Sequence, residues 1–121
     1  MVNIFYMKVD KTKFFKTLSD INRLRILKML QTKPLCVCEI TSILDLATST
    51  VSQHLKILKE AGFIIEEKEG KWVNYLINPR PIDPRIITLL TSLDFWVGDE
   101  FVIISDKKKV MTSDRNMICA K

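Results

Sequence analysis

The sequence predicts a mainly α-helical fold with one β-hairpin, arranged as a winged helix-turn-helix. Apolar residues recur at helical spacing in several segments that are separated by short polar breaks. Two strand-like runs, 63–68 and 71–77, flank Glu69-Gly70 and follow two helices that are joined by a few residues. This order of elements is typical of a winged helix-turn-helix in which the hairpin is the wing.

The first half of the chain predicts four helices, at residues 12–18, 21–30, 37–44 and 49–61. Ser19 and Asp20 supply capping side chains in front of the second helix. Pro34 follows that helix, and proline cannot continue a helix interior. Gly62 stands where a glycine commonly ends a helix, directly before the first strand of the hairpin.

The last third of the chain predicts two further helices and a tail. Residues 84–96 carry an apolar stripe that is too rich for a solvated helix, and its simplest explanation is packing on the chain's own core. Gly98 interrupts this helix, and Asp99 is placed to cap a following one. We expect one domain over residues 1–111 and a flexible tail over residues 112–121.

Composition predicts a small domain that is not an enzyme. The 121 residues, 47% of them hydrophobic, are enough for one core, and no stretch approaches the roughly 18 apolar residues that span a bilayer. The chain has three cysteines, and two of them are separated by a single residue, too close for an ordinary structural disulfide. This favours reduced thiols in a cytoplasmic protein. There is no glycine-rich phosphate loop, and His54 is the only histidine, so we expect no catalytic site and no permanently bound cofactor.

The fourth helix is the element predicted to bind double-stranded DNA, and the net charge of +5 permits this. The candidate DNA-binding residues are Thr48, Ser49, Thr50, Ser52, Gln53, His54 and Lys56 on the helix, and Lys68 and Lys71 on the wing. Glutamine can pair with the major-groove edge of adenine, while hydroxyls and a helix N-terminus can hold phosphates. The alternative is that the hydroxyl groups only cap the helix and that the lysines form a solvated face.

Four segments of the chain resemble the ArsR/SmtB repressors. Residues 15–27 (FKTLSDINRLRIL) look like the conserved opening of that family, and residues 49–62 (STVSQHLKILKEAG) look like its recognition helix. Residues 70–75 (GKWVNY) resemble its wing, and residues 35–39 (LCVCE) resemble its metal box. The resemblance covers about residues 12–78. It implies a homodimeric, operator-binding repressor that releases DNA when it binds a toxic metal or metalloid.

The resemblance also implies how the chain dimerises. In this family the first and last helices form the dimer, so Phe14, Leu90 and Leu93 are candidate interface residues. A twofold dimer binds an inverted repeat whose half-sites are about one helical turn apart.

The two thiols of the metal box have a chemistry of their own. Thiolates favour soft acceptors such as As(III), Sb(III), Cd(II) and Pb(II). A thiol near a helix N-terminus tends to have a lowered pKa. Residues i and i+2 of a helix face different directions, so we expect that Cys36 and Cys38 share an ion only if the first turn of the third helix extends or unwinds.

A third ligand is needed for trigonal As(III). Arsenic-responsive relatives carry a cysteine three residues after the second, where this chain has Thr41. Cys119, from the same chain or from the partner, is the remaining candidate, and the alternative is a surface cysteine in a frayed terminus. The paired-histidine zinc site of related sensors is excluded because the chain has a single histidine.

Arsenite is therefore the first choice of inducer, with cadmium or lead behind it. A second class stays open, namely a thiol-redox or persulfide sensor that uses Cys36 or Cys38 together with Cys119. A third is a DNA-binding module whose cysteines are inert and whose effector acts at the dimer interface.

Overall fold

A computed structural model describes residues 10–119. Its elements in chain order are α1 (Lys11–Thr17), α2 (Ile21–Thr32), β1 (Leu35–Cys36), α3 (Val37–Leu44), α4 (Thr48–Glu60), β2 (Ile64–Glu69), β3 (Trp72–Ile77), α5 (Pro84–Val97), α6 (Phe101–Thr112) and α7 (Arg115–Ile118). The winged helix-turn-helix fold is confirmed, and the boundaries of the predicted elements differ by at most two residues. Within residues 10–119, no helix combines the length and apolarity that crossing a membrane requires.

The wing is part of a three-stranded antiparallel sheet in the order β1-β3-β2. The short strand β1, which the sequence pattern did not predict, pairs Leu35 with Tyr75 and Cys36 with Asn74. Gly70 has a φ of +60° in the turn between the two long strands, a conformation that glycine adopts without steric cost. The segment just before α3 is thus hydrogen-bonded to the wing.

The core is a single cluster of buried apolar side chains contributed by most of the elements. Its largest fully buried members include Phe14, Ile26, Leu27, Leu35, Ile40, Leu55, Leu58, Phe63, Ile86 and Leu93. Helix α4 buries Val51, Leu55 and Leu58, which recur at helical spacing, and leaves its opposite face in solvent.

The end of α4 is fixed by a glycine. The Phe63 N–H donates to the Leu58 carbonyl at 3.0 Å, and the Gly62 N–H donates to the Lys59 carbonyl at 3.0 Å. Gly62 has a φ of +88°, the left-handed conformation that this Schellman arrangement requires. The chain therefore turns directly from α4 into the wing.

A buried ion pair ties α6 to α2. The Arg25 Nε donates to Asp106 Oδ2 at 2.8 Å, and its Nη2 donates to Asp106 Oδ1 at 3.0 Å. Asp106 is only 1% exposed. This two-pronged contact directs the last long helix back along the helix-turn-helix unit.

Two of the predicted interface residues are already buried within the chain. Phe14 is 2% exposed and Leu93 is 1% exposed, so neither has surface left for a partner, and only the half-buried Leu90 keeps some. Successive residues of a helix point about 100° apart, so Phe14 faces the core while Phe15 faces solvent. The large apolar side chains exposed on α1, α5 and α6 are Phe15, Ile87, Phe95, Trp96, Phe101, Ile104 and Met111.

The segment after α6 returns to α3. Helix α6 ends at Thr112, next to the predicted domain boundary at residue 111, and α7 begins at Arg115. Contacts of Ser113 and Arg115 with Glu39 place α7 against the start of α3. The flexibility expected of residues 112–121 stays a prediction.

Candidate cysteine site and nucleic-acid interface

The three cysteines predicted as ligands lie together in one chain. The Cys36 Sγ is 3.2 Å from the Cys38 Sγ and 3.8 Å from the Cys119 Sγ. Cys38 and Cys119 are joined as a disulfide, with their Cα atoms 5.9 Å apart. All three sulfur atoms lie within 4.8 Å of one another. Reduction of the disulfide leaves three thiols on one small patch.

Each cysteine occupies the end of an element. Cys36 is the last residue of β1 and the N-cap of α3, with φ −86° and ψ 165°, while Cys38 lies in the first turn of α3. Cys119 is the C-cap of α7. Because Cys36 stands outside the helix, its sulfur approaches that of Cys38 with α3 intact. The expectation that the first turn has to extend or unwind was therefore wrong.

Glu39 holds this arrangement in place through a buried carboxylate, 2% exposed. Its Oε1 accepts a hydrogen bond from the Cys36 N–H at 3.0 Å and from the Cys36 thiol at 3.2 Å. Its Oε2 accepts from the Ser113 hydroxyl at 3.2 Å, and the Arg115 Nε lies 3.6 Å from Oε1. Sequence reasoning assigned Glu39 no role, although its place three residues after an N-cap is the spacing of a capping box.

The environment of the Cys36 thiol opposes ionisation. Burial raises its pKa above the ordinary value, and the side-chain hydrogen bond and negative charge of Glu39 act in the same direction. A backbone hydrogen bond from Glu39 and the charge of Arg115 oppose these effects without cancelling them. The expected lowering of the pKa was wrong for this thiol, because burial outweighs the helix N-terminus.

The predicted DNA-binding side chains line the exposed start of α4. The N-cap of this helix is Ala47, which offers no capping side chain, so the hydroxyl residues lie inside the first turns and do not cap it. The exposed members of the set are Thr48, Ser49, Thr50, Ser52, Gln53 and Lys56. Between residues 10 and 119, none of these six makes a side-chain hydrogen bond with the protein. The helix start thus presents open polar groups and unsatisfied backbone N–H groups to solvent.

His54 differs from the rest of the predicted set, because it is half-buried and held from inside. Its Nδ1 lies 3.1 Å from the Arg23 Nη1. The same guanidinium donates through Nε to the Thr17 carbonyl at 2.5 Å and through Nη2 to the Lys16 carbonyl at 3.2 Å. Arg23, which sequence reasoning did not single out, therefore fixes α4 against the junction of α1 and α2.

The wing carries its two predicted lysines in solvent. Lys68 and Lys71 are exposed, and the Lys71 Nζ lies 4.9 Å from the centroid of the Trp72 ring. Lys59 behaves differently, because its Nζ is paired with Glu66 Oε1 at 2.5 Å and so joins the end of α4 to β2. The open cationic groups of this face are thus Lys56 on α4 and the two lysines at the wing tip.

Comparison with known proteins places this chain among bacterial regulators. Residues 20–66 match the family model described as "Bacterial regulatory protein, arsR family". The arsenical resistance operon repressor of Escherichia coli is 40% identical over 68 residues, which are 55% of this chain and 58% of that protein. The cadmium resistance regulatory protein CadC of Listeria innocua is 48% identical over 65 residues, 53% of this chain and 55% of that protein. The chain therefore spans less than two thirds of the length of either relative.

Two further similarities extend over more of the chain. The arsenic resistance transcriptional regulator ArsR1 of Pseudomonas putida is 39% identical over 96 residues, which are 76% of this chain and 75% of that protein. The structure of reduced HlyU from Vibrio cholerae superposes with a TM-score of 0.61 at 29% identity, covering 72% of this chain and 87% of that one. The named relatives are regulators, in agreement with the prediction that this chain is not an enzyme. The chain belongs to the ArsR family of bacterial regulatory proteins.

Proposed function

We propose that the chain is a homodimeric transcriptional repressor that releases its operator when a thiophilic ion binds Cys36, Cys38 and Cys119 of one protomer. Arsenite, or the related Sb(III), is the ion we assign first. The observation that carries the proposal is the convergence of three sulfur atoms within 4.8 Å, although Cys119 lies 83 residues after Cys36.

The spacing of the sulfurs suits a shared ion. A bond of roughly 2.3 Å from a metal to each thiolate puts two sulfurs on one ion about 3.5–4 Å apart. The distances from the Cys36 Sγ, 3.2 Å to Cys38 and 3.8 Å to Cys119, are close to that range. Reduction allows Cys38 and Cys119 to separate to the same spacing.

The number of ligands favours As(III). Three thiolates complete a trigonal As(III) or Sb(III) site, and this chain has three cysteines in all. Thiolates also bind Cd(II) and Pb(II), so these ions remain the alternative inducers. The names of the relatives support both ions, because one is an arsenical and one a cadmium resistance regulator.

Operator binding is assigned to α4 and the wing. Gln53 stands on the exposed face of α4 as the candidate base-reading side chain, and Lys56, Lys68 and Lys71 are candidate phosphate contacts. The exposed aromatic side chains Phe15 and Trp96, 63% and 61% in solvent, suit burial between two protomers. A dimer of this kind places two α4 helices on an inverted repeat.

Fluorescence anisotropy of DNA from upstream of the gene tests the proposal. The protein is kept reduced with a phosphine, because a dithiol reductant would itself bind arsenite. We expect release at near-stoichiometric arsenite, and we expect Cys36→Ser, Cys38→Ser and Cys119→Ser each to bind DNA normally but to need far more arsenite. An operator affinity that is unchanged by arsenite, cadmium and lead would contradict the proposal.

Mixed dimers test whether the site lies within one chain. Cys36→Ser/Cys38→Ser protomers are mixed with Cys119→Ser protomers, so that the three thiols occur together only across a dimer. If the site is within a chain, the mixture stays as insensitive to arsenite as either parent. In an equal, fully exchanged mixture half of the dimers are mixed, and each can complete only one of its two sites. Recovery of about a quarter of the wild-type binding stoichiometry would instead assign Cys119 to the partner's site.

A thiol-redox sensor is the second candidate, and the disulfide between Cys38 and Cys119 favours it. A peroxide would oxidise the two thiols to the disulfide and be reduced to water or an alcohol. Peroxide-driven release that is reversed by a phosphine, together with indifference to arsenite, would select this function. Cys36→Ser separates the candidates further, because it removes an ion ligand and leaves the Cys38–Cys119 pair.

A further inference from the structure

Arg115 lies between the cysteine cluster and the wing. Its Nε is 3.6 Å from Glu39 Oε1, and its Nη1 donates to Glu69 Oε1 at 3.5 Å. Its guanidinium carbon lies 5.3 Å from the centroid of the Trp72 ring. One side chain on α7 therefore contacts the buried carboxylate beside Cys36 and two residues at the tip of the wing.

The contacts form a closed ring that includes the wing sheet. Cys36 donates its N–H to Glu39, and it pairs in the sheet with Asn74 on β3. Asn74 in turn donates its amide to Glu69 Oε1 at 2.9 Å. Arg115 completes the ring by joining Glu39 to Glu69. The start of α3, the wing and α7 are thus linked through hydrogen bonds and ion pairs.

The same short helix carries Arg115 and Cys119. The Cys119 N–H donates to the Arg115 carbonyl at 2.8 Å, so the two residues are one helical turn apart. A shift of the Cys119 backbone is therefore passed to Arg115 through the backbone of α7. Arg115 also borders an open cavity of about 630 Å³ between α7 and the wing, which gives its side chain room to change position.

We propose that Arg115 is the positioning residue that couples the state of the cysteine cluster to the wing. An ion that fixes Cys119 beside Cys36 and Cys38 also fixes the guanidinium between Glu39 and Glu69. The wing is then held at one angle, and the operator is lost because the wing lysines no longer meet its phosphates. This inference rests on the proposed ion-sensing function and assigns its transmission to the wing, with α3 left folded.

Two substitutions isolate the coupling. Glu69→Gln removes the wing charge but keeps an amide oxygen for Asn74, and it leaves the cysteines and Glu39 untouched. Arg115→Met removes the guanidinium and keeps an unbranched side chain. Arg80→Met serves as the control, because it removes one positive charge from the exposed loop after the wing. Any loss of basal DNA affinity cancels when each protein is compared with and without arsenite.

The measured quantity is the ratio of operator Kd with saturating arsenite to operator Kd without it. Couplings of this kind are typically about 5–150-fold. We expect this ratio to be about fivefold or more lower in Glu69→Gln and in Arg115→Met than in the wild type. The ratio of the double variant should be no lower than that of either single variant. Arg80→Met should keep the wild-type ratio. Arsenite stoichiometry, followed by sulfur-to-arsenic charge-transfer absorption, should stay unchanged in Glu69→Gln.

Trp72 offers a direct signal from the wing. In a Trp96→Phe background Trp72 is the only tryptophan of the chain. We expect arsenite to change its fluorescence, and we expect Arg115→Met to suppress that change while ion binding persists.

The two proposals fail in different ways. The coupling alone would be overturned if the wild type releases DNA with arsenite and the variants bind the ion normally but keep the wild-type ratio of operator Kd values within twofold. If no thiophilic ion changes the operator affinity of the wild type, both the proposed function and the coupling are overturned. If Arg115→Met fails to fold, Glu69→Gln decides, since it changes one exposed side chain.

Discussion

The sulfur of Cys36 lies 3.2 Å from that of Cys38 because a helix boundary runs between the two residues. Cys36 is extended and paired in a sheet, whereas Cys38 is helical. Two residues inside one helix would point their sulfurs apart. The pair is therefore already arranged for a common ligand with α3 folded.

Arsenite binding should for this reason leave the helix content unchanged. We expect the far-UV circular dichroism of the reduced protein to be the same before and after one equivalent of arsenite. Unwinding of the first turn of α3 would remove about four helical residues. A loss of that size in the wild type, absent from Cys36→Ser, would contradict the arrangement.

The buried pair of Arg25 and Asp106 predicts a stability effect that depends on which partner remains. Asp106→Ala removes the carboxylate partner of the Arg25 guanidinium, whose side chain is only 16% exposed. We expect it to lower the free energy of unfolding by about 3 kcal/mol. Replacing both residues by leucine should cost clearly less, because no charge is left unpaired.

Urea unfolding at a fixed protein concentration measures both changes, since a dimer's stability depends on concentration. A free energy of unfolding of Asp106→Ala within about 0.5 kcal/mol of wild type would be a change of the size expected for an ordinary surface substitution. It would show that the pair does not hold α6 against α2.

Gln53 and Lys71 should affect DNA binding in different ways. Gln53→Ala should relax base preference at one operator position by about 1–3 kcal/mol. Lys71→Ala should weaken binding to all sequences alike and reduce the slope of log K against log salt by about one. Competition assays with single-base operator variants at several salt concentrations separate the two, and the opposite pattern would mean that the two roles are exchanged.

The exposed aromatic residues predict where two protomers meet. Trp96→Asp should weaken dimerisation by about 30-fold or more, which corresponds to the roughly 2 kcal/mol of a hot-spot residue. Val73→Asp, on the wing and 40% exposed, is the matched control and should leave the dimer intact. Sedimentation equilibrium measures both, and a Trp96→Asp protein as dimeric as wild type would place the interface elsewhere.

The helices and the hairpin were predictable because their signals are local. Helix α3 was predicted at its observed bounds, since Pro34 ends the preceding helix and the apolar pattern stops at Leu44. The strand β1 was missed because two residues carry no periodicity, and its pairing depends on Asn74 and Tyr75, far along the chain. A strand of this kind exists only through a long-range partner.

The residues of the site also divide into those with a local sequence signal and those placed by long-range contacts. The pair Cys36 and Cys38 was recognisable from its motif, whereas the position of Cys119 depends on how α6 returns along α2. Arg115 has no local signal at all, because its role comes from carboxylates 76 and 46 residues away. Helical spacing also could not decide whether Phe14 or Phe15 faces the core.

Arsenic K-edge X-ray absorption tests most directly whether Cys36, Cys38 and Cys119 supply the three sulfur ligands of the ion. The reduced protein is loaded with one equivalent of arsenite per protomer and measured beside Cys119→Ser. We expect three sulfur neighbours in the wild type, and two sulfurs with one oxygen in the variant. Two sulfurs and an oxygen in the wild type, or three sulfurs in Cys119→Ser, would contradict a site built from Cys36, Cys38 and Cys119.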